Sequence, residues 1–185
     1  LDAWSARLRP LDCRRRRLAC FVALDGLGRL PPADREATRS LLRALAEEDR
    51  TIVSFELALL CMARHRLAPP APATVSHPAK LAREATLVLG ELAQSACATP
   101  AAASAAARAR LSLFGELPPP PPSVAFDDFL RALDALDALP PLAKQEFMNA
   151  CASLFARDGT LSGDDENYLF AVAAAIGAYG WRIRL

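Results

Sequence analysis

Residues 156–170 read ARDGTLSGDDENYLF, from Ala156 to Phe170. An Asp, a Gly, two hydroxyls and three successive acids suit a cation site. They also suit the turn between two helices. An EF-hand loop needs oxygen ligands at alternate positions, a Gly at position 6 and a bidentate Glu at position 12. Counted from Asp158, Thr160 and Ser162 fill positions 3 and 5 and Gly163 fills position 6, but position 12 is Leu169. The strongest ligand of such a loop is missing. The helical reading explains more. Gly159 suits the left-handed residue that ends a helix. Ser162 followed three residues later by Asp165 is a capping box for the next one. Asp164, Asp165 and Glu166 then occupy a first turn, where the helix dipole favours anions.

The same corner is foreshadowed upstream. ALDGLGRLPP, from Ala23, lies over ALDALDALPP, from Ala132, at an offset of 109 positions. Without a gap, the same offset places Asp49 on Asp158, Thr51 on Thr160, Glu56 on Asp165 and Leu60 on Leu169. A shared LPP corner and a shared loop Asp in one ungapped register point to an internal duplication. Equivalent core positions are expected for Leu45 and Leu154, and for Leu60 and Leu169.

Ala, Leu and Arg dominate the 185 residues, Gly is scarce and aromatics are 6%. That composition favours helix over sheet, and the fold class expected is all-α. The formal net charge of +1 gives no global attraction to nucleic acid or membrane. Cys13, Cys20, Cys61, Cys97 and Cys151 form no C-x-x-C pair and are odd in number. They read as small apolar residues in a reducing compartment. No signal peptide is expected in this stretch, and it reads as holding no bilayer-length apolar run. The opening LDAWSARLRP reads as the start of a fragment.

Helices are expected from Pro10 or Leu11 to Leu27, from Pro32 to near Asp49 and from about Val53 to Leu67. Two more follow Pro78 and run from Pro100 to Gly115. The second half should repeat the plan at 126–136, 141–157 and 163–178, with Trp181 and Ile183 folding back on the core. Pro118–Pro122 reads as a stiff polyproline II spacer. The expected organisation is a first unit at 1–68, a connecting helical pair at 69–117, a linker at 118–124 and a second unit at 125–185.

No catalytic residue is expected. His65 and His77 lack H-E-x-x-H or a Cys partner, and neither a P-loop nor G-x-S-x-G occurs. Asp49 with Glu56, and Asp158 with Asp165, span the two corners at identical spacing. Capping accounts for both pairs, with Glu56 reaching back to the N–H of Val53. A divalent cation bridging each pair of carboxylates is the sharper alternative. Arg50, standing where the second corner has Gly159, weakens it in the first. Arg14, Arg15, Arg16 and Arg17 form the strongest charge feature. From Leu1 to Arg29 seven Arg face three Asp, whereas nine acids face three bases from Phe126 to Phe170. A solvated helix face explains the arginines. Contact with anionic lipid or an acidic protein surface is the functional reading. Nucleic acid is not expected, because the interleaved aromatics that stack bases are missing.

LFARDGTLSGDD followed by YLFAVAAAIG resembles the acidic corner of TerB-like helical domains, named for tellurite resistance. LPPADREATRSLLRALAEEDRTIVSFELALLCMARHRL resembles the segment that follows the protease domain in HtpX-like membrane zinc metalloproteases (metallopeptidase family 48). The resemblance spans nearly the whole chain through short motifs, and Arg50 and Val53 depart from it. It implies two TerB-like units and a non-catalytic regulatory or protein-contact role. It implies no cofactor in this segment, with zinc only in an upstream protease domain of the same polypeptide. That domain is the partner implied, other proteins being further partners, on the cytoplasmic side of the bacterial inner membrane. The alternatives are a stand-alone divalent-metal-sensing or tellurite-resistance domain, and a structural helical adaptor.

Overall fold

The computed structural model describes residues 10–48, 52–68, 75, 77–155 and 161–181. Among them the chain is all-α. Its helices are α1 (Cys13–Leu27), α2 (Pro32–Ala46), α3 (Ser54–Leu67), α4 (Ala82–Ala96), α5 (Pro100–Arg108), α6 (Phe126–Leu136), α7 (Pro141–Phe155) and α8 (Gly163–Ala175), and no strand occurs among the described residues. Local chemistry sets the starts. Asp12 Oδ1 accepts the Arg15 N–H at 2.7 Å and caps α1. Proline opens α2, α5 and α7, where its missing N–H costs nothing.

The centre is the pair α3 and α8, which makes the most extensive helix–helix contact. They run parallel. Ser54 Oγ donates to Asp164 Oδ1 at 2.5 Å at their first turns. At the far end a Cβ on Gly177 would lie 3.2 Å from His65 Cε1. Around this pair, α1 and α2 pack on α3, and α6 and α7 pack on α8. The helical pair α4–α5 lies against α6 and α7. One continuous apolar cluster runs through both halves, from Leu24 and Leu57 to Leu169 and Ile176.

Several helix bounds fall in the register found in the sequence, although α1 begins at Cys13, four residues earlier in that register than α6. Leu27 and Leu136 end α1 and α6, Pro32 and Pro141 open α2 and α7, and Ser54 and Gly163 open α3 and α8. Leu60 and Leu169 are both buried. Leu45 and Leu154 are not equivalent in burial: Leu154 is 2% exposed and Leu45 56%. The expectation for Leu45 therefore fails, because α7 lies under α4 and α5 while the corresponding face of α2 is open.

The segment from Pro78 begins with a 3-10 turn, Pro78–Leu81, before α4. The fifth helix is shorter than expected. It stops at Arg108, and a second 3-10 turn, Ser112–Phe114, follows. Glu146 holds that turn, accepting the Ser112 N–H at 2.6 Å. The proline run lies along α4 rather than standing off from the core. A Cβ on Gly90 would sit 2.7 Å from Pro120 Cβ. Arg108 Nη1 donates to Pro118 O at 2.7 Å. Glycine at position 90 thus permits the close approach of a rigid chain to a helix. Trp181 does fold back, its Nε1 donating to Asn149 Oδ1 at 3.1 Å. Ile183 lies outside the described residues.

Candidate functional site

The acidic corner is capped as its spacing predicts. The Asp165 N–H donates to Ser162 Oγ at 3.1 Å, and the Ser162 N–H donates to Asp165 Oδ2 at 2.9 Å. Asp164 takes the Ser54 hydroxyl, and Glu166 Oε2 takes Arg17 Nη2 at 2.7 Å. Each acid of this first turn has a partner within the chain. In the first half Glu56 Oε2 accepts the Val53 N–H at 3.0 Å. Valine offers no acceptor in return, so only half the box forms there. Asp49 and Asp158, the other members of the candidate metal pairs, lie outside the described residues. Among the described residues no three or more His, Cys, Asp and Glu side chains gather as a metal site would require.

The four arginines divide. Arg17 turns inward and is 6% exposed. Its Nη1 donates to Asn167 Oδ1, and its guanidinium lies 5.6 Å from the Phe170 ring centroid. Asn167 Nδ2 in turn donates to Ser54 Oγ at 3.2 Å. Arg17 thus ties α1 to the first turns of both central helices. The sequence carried no sign of this, since a run of like residues does not say which one faces inward. Arg14, Arg15 and Arg16 are exposed. Arg15 Nε lies 3.6 Å from Asp12, and Arg16 Nε donates to Leu11 O at 2.9 Å.

Two adjoining cavities of about 230 Å³ each form a groove between α2, α3 and α6. Arg39, Arg64 and Leu130 line both. Its cations are already neutralised. Arg39 meets Glu36 at 3.2 Å, Arg43 meets Glu47 at 2.8 Å and Asp127 at 2.7 Å, and Arg64 meets Asp134. On the other side of α3, Arg66 meets Asp25 at 3.2 Å. Asp25 and Asp134, the acids of the two ALD segments, therefore both anchor on α3. Cys61 also lines the groove, but burial pushes its thiol up to about 12. At neutral pH it stays protonated and unreactive.

His65 closes the far end of the groove. Its Nδ1 is 3.9 Å from Asp137 Oδ2, and its ring meets Tyr179 edge-on with centroids 5.4 Å apart. Burial holds its pKa below the usual histidine value, against the pull of Asp137. Asp137 is already matched, accepting Lys144 Nζ at 2.7 Å, so burial prevails and the imidazole is neutral. His77 is exposed in the turn before α4. Of the groups singled out in the sequence, Ser162, Asp165 and Glu56 cap helix starts and Arg17 joins α1 to α8.

The structure adds a surface that the sequence did not single out. In the second half, Ala132, Ala150 and Leu154, on helices packed by α4 and α5, and Leu139, in the turn between α6 and α7, are buried. Cys97, just past α4, sits with its Sγ 3.5 Å from Leu154 O. The corresponding positions of the first half are Ala23, Leu30, Leu41 and Leu45. All four are exposed, with Leu41 at 59% and Leu45 at 56%. Only the register between the halves distinguishes this face from ordinary scattered surface leucines. Comparison with family models, with curated proteins and with solved structures found no match for the chain.

Proposed function

We propose that this chain is a non-catalytic contact and regulatory region, built from two copies of one TerB-like helical unit. In this reading it belongs to a membrane zinc metalloprotease, on the cytoplasmic side of the bacterial inner membrane. The zinc belongs to an upstream catalytic domain, and that domain is the partner. Support for the duplication comes from helix bounds that recur in the register of the sequence repeat. The observation that carries the contact role is the open face of Leu41 and Leu45 on α2, in contrast to the buried Ala150 and Leu154 of α7. In the second half that face is covered by a helical pair, and in the first half it is left for another part of the polypeptide or another protein. Burying two leucines there gains roughly 1.5–3 kcal/mol each.

Two observations test this reading. The coding sequence upstream should contain H-E-x-x-H and hydrophobic spans; a start codon immediately before Leu1 would favour a stand-alone domain instead. The isolated chain, given casein and added zinc, should stay at background. Zinc-dependent, chelator-sensitive turnover in a preparation free of other proteases would overturn the non-catalytic assignment.

A further inference from the structure

We propose that the outer face of α1 is a docking surface for an anionic lipid bilayer. Leu18 and Val22 are 64% and 63% exposed and stand one turn apart, so they share one face of the helix. Arg14 lies one turn before Leu18, and Arg15 seven residues before Val22, which places both exposed arginines on the same face. Between Asp12 and Asp25 the helix carries no acid. Asp12 caps the helix through Oδ1 and lies 3.6 Å from Arg15 Nε at the solvent-exposed helix start, and Asp25 accepts Arg66 at 3.2 Å. Arg14 makes no ion pair among the described residues. The face is therefore cationic and apolar at once.

Neither property serves the isolated fold. Cations in a first turn oppose the helix dipole. Exposed Leu and Val side chains gain nothing from burial. Both become favourable against a bilayer surface, where guanidiniums pair with headgroup phosphates and aliphatic side chains enter the headgroup–acyl boundary. An acidic protein would meet the arginines equally well. The apolar pair flanked by arginines on a convex helix, rather than around a cleft, matches a planar headgroup layer better. This face is distinct from that of Leu41 and Leu45, so the two proposals fail independently.

The test is flotation of the whole chain with vesicles. One set is phosphatidylcholine alone; the other contains roughly a third phosphatidylglycerol, in about 0.1 M salt so that surface charge is not fully screened. The chain should float with the anionic vesicles only. The double change Arg14→Ala, Arg15→Ala should reduce binding on the order of tenfold. Leu18→Asn with Val22→Asn should weaken binding while leaving its salt dependence in place. All four side chains are exposed, so unchanged melting confirms that the variants fold. Absence of flotation, equal binding to both vesicle types, or binding indifferent to the arginine changes would overturn the proposal. So would retention on immobilised polyglutamate without flotation, which would assign the face to an acidic protein.

Discussion

At Ser162 a single hydroxyl opens α8. Replacing it with Ala removes one of the two reciprocal cap bonds and should lower stability by about 1 kcal/mol. Thermal melting with and without millimolar Ca²⁺, Mg²⁺ or Mn²⁺ distinguishes capping from coordination. Capping predicts the same loss in every condition. A metal-induced rise that Asp158→Asn abolishes would instead reveal a bound ion, since such a gain grows with ligand concentration. His65 gives a pH signature. Its folded pKa is depressed from 6.5 by burial, so the folded chain resists the proton that the unfolded chain accepts. Its contribution to stability is complete above about pH 6.5 and should decline as pH falls from there toward the folded value. His65→Gln should remove that part of the acid dependence; an unaltered profile would place the titration elsewhere. Gly177 sits at φ +66°, and a Cβ there would lie 2.9 Å from Asp137 Oδ1. Gly177→Ala should therefore destabilise by roughly 1–3 kcal/mol in denaturant titration.

Helices were legible where chemistry punctuates them. The prolines at 32, 100 and 141 mark true helix starts, because proline's fixed φ suits the first turn. The Ser162–Asp165 box was legible for the same reason: both partners lie within one turn. Burial was less legible. Leu41, Leu42 and Leu45 share helical spacing, yet Leu42 packs against the core while the other two face outward. Periodicity gives a stripe but not which neighbouring element covers it. Arg17 was hidden similarly, since its partners Asn167 and Glu166 lie on the far side of the chain. The contrast between α2 and α7 is measurable. Leu154→Ala should cost about 2–5 kcal/mol through a buried cavity. Leu45→Ala should cost within about 0.5 kcal/mol. Equal costs in equilibrium unfolding would mean that α2 is covered in the isolated chain.

Across the whole molecule, the two halves meet along the parallel helices α3 and α8, and the α4–α5 pair packs on α6 and α7 of the second half. Buried and half-buried arginines join the helices: Arg17 to α8, Arg64 to α6 and Arg66 to α1. Leu41 and Leu45 are left exposed on α2. The most direct measurement is hydrogen–deuterium exchange along α2, from Ala37 to Ala46, in the isolated chain and in the longer polypeptide that contains it. A contact region predicts slower exchange of this segment in the longer polypeptide, and loss of that protection in Leu41→Asp with Leu45→Asp. Identical exchange in the two settings would contradict the account.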